Sequence, residues 1–219
     1  MTMQNKEKIR LTIDFVKTKL QGAEGGHDWW HIYRVWNNAK QLAKTEGGNL
    51  LVIELATLLH DIADSKFHGG DETLGPKIAR EYIVELGITD LEIEQIVTII
   101  ENLSFKGGHA SKIEKTIEFE IVQDADRLDA IGAIGIARTF NYGGFKNREM
   151  YNPEITPNLT MTKEEYKNST TPTLNHFYEK LLLLKDLMNT NTARMMAEQR
   201  HRFMETYLEQ FYKEWDGER

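Results

Sequence analysis

Apolar residues recur at helical spacing along most of this 219-residue chain. In the first segment, Ile9, Ile13 and Val16 are three or four positions apart, which places them on one face of a helix. The pattern predicts helices over about residues 6–20, 28–45, 50–64, 77–87, 90–104, 116–140, 174–188 and 192–215. We find no alternation of apolar and polar residues of the kind that is typical of a half-buried strand. The sequence therefore predicts an all-α fold.

One stretch, residues 141–172, interrupts the helical pattern. It contains three of the four prolines and the pair Gly143-Gly144, and we predict an irregular segment with one short helix near Lys163. Long irregular stretches in compact domains are usually functional or disordered. We therefore expect a mobile cover, hinged at the glycines, that helps to select a substrate and from which Lys146 and Arg148 could reach a phosphate. The alternative is an exposed connection or a dimer contact.

Composition and charge narrow the class of protein. Because 40% of the residues are apolar, the chain can bury a core, and we predict one domain over residues 1–219, with a core at about 26–140 and a helical C-terminal extension at about 141–215. The net charge of −7 argues against a nonspecific nucleic-acid binder. No apolar run approaches the roughly 20 residues that a membrane span needs, and we expect a cytoplasmic protein without a membrane partner. The absence of cysteine excludes disulfides, thiolate metal sites and cysteine nucleophiles.

The adjacent pair His60-Asp61 stands out because it lies in the otherwise apolar stretch LATLLHDIAD. A carboxylate buried without a partner is very costly, so it needs a cation or a hydrogen-bond network. The alternative is a satisfied buried pair, or a helix end that reaches water. His31, in HDWWHIYRV, and Asp126, in QDADRLDAIGAIGIAR, stand on two other apolar helical stretches. Three helices could thus bring two imidazoles and two carboxylates to one point, and such nitrogen and oxygen ligands suit a divalent transition metal.

The order His … His-Asp … Asp resembles the signature of the HD-domain metal-dependent phosphohydrolase superfamily. The chain is similar to small bacterial HD proteins that include nucleotide pyrophosphohydrolases, and the similarity extends over about residues 26–215 through stretches such as LLHDIADSKF, ENLSFKGG and FNYGGF. The resemblance implies a helical bundle with a central metal site. By the same resemblance, the metal ligands would be His31, His60, Asp61 and Asp126.

A metal at this site could lower the pKa of a bound water and polarise a phosphoryl oxygen. Asp61 could act in catalysis as well as in ligation. Asp64 lies one turn beyond His60 on the predicted helix and faces the same way, so it is our first candidate for a base that accepts the proton of the water or positions the water. The alternative for Asp64 is an ordinary helix-end carboxylate.

Phosphate binding needs positive charge near the metal. Arg34 lies one turn after His31 and could hold a phosphate through two hydrogen bonds, although an ion pair with Asp61 or Asp129 is the alternative. Lys66 and Lys106 are in segments expected to border the site, although each could also be simply exposed. His27 precedes His31 by one turn and could compete with it as a ligand, but we prefer His31 because His27 stands beside glycines at the start of the helix; His27 could instead contact substrate or phosphate.

The leading hypothesis is hydrolysis of a phosphoester or phosphoanhydride bond, in the manner of a nucleoside triphosphate pyrophosphohydrolase. The alternatives are a nucleoside monophosphate or alarmone phosphohydrolase and a nucleotide-sensing HD module without turnover. We expect one divalent ion, with Mn²⁺ favoured and Mg²⁺, Fe²⁺, Co²⁺, Ni²⁺ and Zn²⁺ left open. The expected binding partner is then a small phosphorylated molecule. The sequence leaves open whether two copies of the chain form a homodimer. The absence of HExxH and GxxxxGK[ST] motifs argues against a zincin and a P-loop enzyme.

Overall fold

The structure, a computed structural model, describes residues 2–22, 28–63, 71, 73–103, 115–162, 165 and 169–218. The elements are α1 (Met3–Lys19), α2 (Trp29–Glu46), α3 (Leu50–Leu59), α4 (Leu74–Glu85), α5 (Asp90–Asn102), α6 (Ile117–Asp129), α7 (Gly132–Phe145), α8 (Asn175–Glu179), a 3₁₀ helix (Leu181–Leu187) and α9 (Asn191–Trp215). The predicted all-α class is confirmed, since no strand occurs in these ranges. None of the helices described combines the length and the apolar character needed to cross a bilayer.

The chain forms two compact units, Met1–Asp126 and Arg127–Arg219, and the division falls within α6. In the first unit α3 is central, because every residue from Leu51 to Leu59 is buried. It packs against α1, α2 and α5. Burial of each leucine or isoleucine contributes roughly 1.5–3 kcal/mol relative to exposure. Burial of this segment therefore holds the C-terminal end of α3 in a fixed position. His60 and Asp61 follow directly after that end.

Local capping groups set the starts of these helices. The Asp28 side chain caps α2 by accepting a hydrogen bond from the backbone N–H of His31. Asn49 caps α3 through the backbone N–H groups of Leu51 and Val52. A capping box at the start of α5 joins Thr89 and Glu92. Such caps satisfy N–H groups that have no partner inside the helix.

A buried carboxylate that the sequence analysis did not single out lies in α3. Glu54 is 4% exposed, and Trp36 Nε1 donates a hydrogen bond of 2.8 Å to Glu54 Oε2. Burial raises the pKa of Glu54, although the bond from Trp36 and the nearby charge of Lys40 oppose that effect. Lys40 Nζ also lies 3.4 Å from the centre of the Trp36 ring. These contacts connect α2 to α3.

The second unit is built around aromatic side chains. Its longest helix, α9, packs against α7 and the 3₁₀ helix. Neighbouring rings of Phe140, Phe177, Tyr207 and Phe211 have centroids 6.0–6.4 Å apart. Trp215 extends this cluster, with its ring centroid 6.2 Å from that of Phe211.

The single helix predicted over residues 116–140 is wrong. The chain breaks between α6 and α7 because Gly132 has φ +75°, and a Cβ there would lie 3.0 Å from the Arg200 side chain. Arg200 donates a hydrogen bond to Leu128 O, which is one of the last carbonyls of α6. Arg138 donates to Asp129 O at 3.3 Å and forms an ion pair of 2.6 Å with its carboxylate. The carbonyls exposed by the break therefore have partners.

Three other predicted boundaries also change. The helix predicted to reach residue 64 ends at Leu59, and that predicted over 174–188 is the short α8 followed by the 3₁₀ helix. In addition, α7 continues to Phe145, so placing Gly143 and Gly144 in an irregular segment was wrong. Gly143 is buried against Thr173, where a Cβ would come within 2.8 Å of Cγ2 and closer still to Oγ1. The close contact with Thr173 explains why residue 143 is a glycine, and no hinge is needed to explain it. Lys163 lies outside the described residues.

The two neighbouring glycines of α7 give a matched stability test. Gly143→Ala should lower the free energy of unfolding by about 1–3 kcal/mol, because the new methyl group overlaps Thr173. Gly144→Ala should leave it unchanged or raise it by up to ~1 kcal/mol, because alanine favours a helix and the new Cβ meets no atom within 4 Å beyond its chain neighbours and the adjacent backbone of α7. Urea denaturation followed by circular dichroism measures both. Equal effects of the two substitutions would contradict the packing explanation.

Candidate metal centre

His31 lies in the first turn of α2, where the cap of that helix fixes its position. Asp28 Oδ1 accepts a hydrogen bond of 3.0 Å from His31 N, and the His31 side chain is 3% exposed. The neighbouring residues Ile32 and Val35 are fully buried, so they hold this side of α2 in the core of the first unit. The imidazole is therefore held at a buried position close to the helix start.

His60 comes directly after the last residue of α3. Its Nδ1 lies 2.7 Å from Thr57 O. Because a carbonyl oxygen can only accept a hydrogen bond, Nδ1 carries the proton in this contact and a neutral ring keeps its Nε2 lone pair free of a proton. Backbone carbonyls hold metal-binding histidines in this way in many proteins. The contact thus leaves His60 Nε2 available to bind a metal ion.

Asp126 of α6 brings a carboxylate to both imidazoles. Asp126 Oδ1 lies 3.6 Å from His31 Nε2 and 3.9 Å from His60 Nε2. Two atoms that each bind an ion at ~2.1 Å can be at most ~4.2 Å apart, so both distances fit a shared ion. One ligand atom from each of the three residues lies within 4.8 Å of the others. Three of the four residues predicted to converge, His31, His60 and Asp126, thus lie together in the structure.

Asp61 approaches the same centre from the turn after α3. Its Oδ2 lies 3.9 Å from His31 Nε2. The group of described residues whose ligand atoms all lie within 4.8 Å of one another contains His31, His60 and Asp126 but not Asp61. The role of Asp61 as a fourth ligand stays a prediction.

Exposure increases across the centre from the imidazoles to the carboxylates. The side chains of His31 and His60 are 3% and 6% exposed, whereas those of Asp61 and Asp126 are 17% and 39% exposed. The imidazoles therefore form the buried base of the centre, and Asp126 lies at its solvent side. A substrate would approach an ion from the side of the carboxylates.

Asn38 is a residue near the centre that the sequence analysis missed. Its Nδ2 donates a hydrogen bond of 3.2 Å to Ala125 O, next to Asp126, and so connects α2 to α6. No local signal marks such a residue, because its role depends on how two distant helices pack. Arg34 lies between His31 and Asn38 on α2 and is half-buried. It is therefore on the helix that supplies His31, as predicted, and its role in phosphate binding stays a prediction.

Four of the predicted site residues lie outside the described residues: His27, Asp64, Lys66 and Lys106. Because α3 ends at Leu59, helical periodicity does not predict which way Asp64 faces relative to His60. The proposed roles of these four residues stay predictions.

Comparison with known proteins gives consistent matches. The family model described as HD domain matches residues 29–131. The uncharacterized protein YpgQ of Bacillus subtilis is 36% identical over 98% of this chain and 96% of its own length. The crystal structure of an HD-superfamily hydrolase from Bacillus thuringiensis is 49% identical, with a TM-score of 0.77 over 97% of this chain and 98% of that one. The crystal structure of B. subtilis YpgQ in complex with ADP is 34% identical, with a TM-score of 0.77 over 97% of both chains.

Removal of Asp126 tests the metal centre. Asp126→Ala should weaken Mn²⁺ binding by more than ~100-fold, because the loss of a ligand should exceed the 10–100-fold effect of outer groups that only orient ligands. Isothermal titration calorimetry measures the affinity, and circular dichroism checks the fold. Glu81→Ala, at an exposed carboxylate of α4, is the matched control and should bind Mn²⁺ like the unaltered chain. Unchanged affinity in Asp126→Ala would show that the ion binds elsewhere.

Proposed function

The chain belongs to the HD-domain family and is a metal-dependent phosphohydrolase, and we propose that its substrate is a nucleotide. The bond cleaved would be a phosphoanhydride or phosphoester bond, with a nucleoside triphosphate as the first candidate and pyrophosphate as its product. We further propose that the enzyme acts in the cytoplasm as a single domain.

The observation that carries the proposal is the meeting of His31, His60 and Asp126. His60 Nδ1 is occupied by Thr57 O, so its Nε2 is directed to the same carboxylate oxygen that approaches His31 Nε2. Two neutral imidazoles and a carboxylate form a donor set that suits a divalent ion, with Mn²⁺ our first choice. The complex of the relative YpgQ with ADP supports a nucleotide as the ligand class.

In this proposal some residues of the centre hold the ion, and others keep those ligands in place. His31, His60 and Asp126 would hold the ion, with Asp61 as the fourth ligand. A bound divalent ion supplies a water of lowered pKa and neutralises charge on a phosphoryl oxygen. Thr57 O keeps His60 in the ligating tautomer. Asn38 holds α2 and α6 together beside Asp126 and so limits how far the ligands can separate.

The remaining site residues would act on the substrate. Asp61, or Asp64, would accept the proton of the attacking water. Arg34 would hold a non-transferred phosphate, since a guanidinium matches two phosphate oxygens. Lys66, Lys106 and His27 would add contacts to the phosphates.

A screen of nucleotides against divalent ions tests the substrate. Nucleoside tri-, di- and monophosphates are incubated with Mn²⁺, Mg²⁺, Fe²⁺, Co²⁺, Ni²⁺ or Zn²⁺, and the products are identified as phosphate or pyrophosphate. We expect turnover of triphosphates with Mn²⁺ and release of pyrophosphate. Asp126→Ala, prepared in parallel, should be inactive and so excludes contaminating hydrolases. If the metal-loaded chain hydrolyses a general phosphoester but none of the nucleotides, the nucleotide proposal is wrong while the enzyme class stands.

The phosphate contact is tested by Arg34→Lys. Replacing the planar guanidinium by a point charge should lower kcat/KM by roughly 10–100-fold, because hydrogen bonds to charged groups are worth about 1.5–3 kcal/mol. Mn²⁺ affinity should stay the same, since Arg34 is not a proposed ligand. Lys44→Ala, at an exposed position of the same helix, is the control and should retain full activity. Unaltered kinetic constants in Arg34→Lys would remove Arg34 from the site.

A further inference from the structure

A cavity of about 310 Å³ lies in the second unit, among residues that the proposed function does not use. The loop of residues 151–157 forms one side, and Asn175, Tyr178 and Tyr212 form the other. None of the lining residues is a candidate metal ligand. The cavity is at the lower end of the roughly 300–1,000 Å³ that is common for small-molecule sites, so it suits a molecule of one or two rings.

Hydrogen bonds hold the loop in place, so the cavity is preformed. Asn175, which is 2% exposed, donates from Nδ2 to Ile155 O at 3.0 Å. The backbone N–H of Asn158 donates to Glu179 Oε1 at 3.2 Å. At the start of the loop, Leu174 N donates to Met150 O at 3.0 Å. A site that needs little ordering on binding retains more of the interaction energy.

The lining is uncharged. Among the residues that the structure describes, it consists of tyrosine, asparagine, proline, isoleucine and threonine and includes no acidic or basic side chain. Tyr178 and Tyr212 have their hydroxyl oxygens 3.1 Å apart. Burial, together with this hydrogen bond, raises the pKa of Tyr212, so the hydroxyl stays protonated at neutral pH. A charged ligand would therefore find no opposite charge among the described lining residues.

The side chains of Asn175, Tyr178 and Tyr212 offer at least one donor and one acceptor to a ligand. The two hydroxyls carry two hydrogens and use one between them, which leaves the other for a ligand. The amide nitrogen of Asn175 is bound to Ile155 O, so its carbonyl oxygen is the atom that can accept from a ligand. The rings of Tyr151 and Tyr212, with centroids 5.5 Å apart, add flat apolar surface.

We propose that this cavity binds a small uncharged heterocycle that has a ring N–H beside a carbonyl group. The N–H would donate to Asn175 Oδ1, and the carbonyl would accept from the tyrosine pair. The flat ring would pack against Tyr151 and the prolines of the loop. The proposal does not depend on the metal centre or on its substrate.

Uracil is the probe, because it has this donor and acceptor and no charge. Its binding to the full-length chain is measured by titration calorimetry and by saturation-transfer NMR. We expect saturable binding of uracil, with binding by N,N′-dimethyluracil at least several-fold weaker because it lacks the N–H donors. Orotate, which is uracil with a carboxylate, should also bind more weakly.

Protein variants locate the site. Replacement of both Tyr178 and Tyr212 by phenylalanine should weaken uracil binding by about two- to tenfold, which corresponds to the loss of one neutral hydrogen bond; both are replaced because either hydroxyl can be the donor to the ligand. Tyr142→Phe, at a tyrosine outside the cavity, should bind like the unaltered chain. Asp126→Ala should also bind uracil normally.

Three results would each overturn the proposal. These are the absence of saturable uracil binding up to its solubility limit, equal binding of uracil and its dimethyl derivative, and loss of binding in Asp126→Ala. The last result would assign uracil to the metal centre.

Discussion

The hydrogen bond between His60 Nδ1 and Thr57 O is the interaction on which the candidate metal centre depends. Thr57 is in the last turn of α3, where carbonyl groups have no partner within the helix. The end of the helix therefore supplies the acceptor that fixes the His60 tautomer. If α3 continued through residue 64, as its apolar pattern suggests, the Thr57 carbonyl would bind a backbone N–H, and the ring would have to share it.

The burial of α3 makes this arrangement rigid. The helix is surrounded by α1, α2 and α5, and its one buried carboxylate, Glu54, is held by the Trp36 indole. A histidine at the end of such a helix can move little without disturbing the core, and interiors of this kind are close-packed. The second imidazole is fixed separately, by the cap at the start of α2. Stable packing thus positions the groups that carry the chemistry.

Local signals explain what the sequence could predict. Asp28 precedes an amphipathic segment and caps it, and His31, His60 and Asp126 are noticeable because polar residues interrupt apolar stretches. Helical periodicity does not mark the break before Gly132, because the break depends on the positive φ of that glycine and on the space beside Arg200, a residue far along the chain. Asn38 was missed for the same reason, because its acceptor belongs to α6. The cavity beside Tyr178 depends on a loop whose conformation is set by Asn175 and Glu179, and helical periodicity carries no information about such a loop.

The positions of the tryptophans have a consequence for spectroscopy. Three of the four, including Trp36, belong to α2 in the first unit, whereas Trp215 belongs to the aromatic cluster of the second. The tryptophan fluorescence of a Trp215→Phe chain would therefore come from the first unit alone. Its difference from the tryptophan fluorescence of the unaltered chain would report on the second unit. Denaturation of both chains, followed by tryptophan fluorescence, would thus establish whether the two units unfold in one cooperative transition or in two.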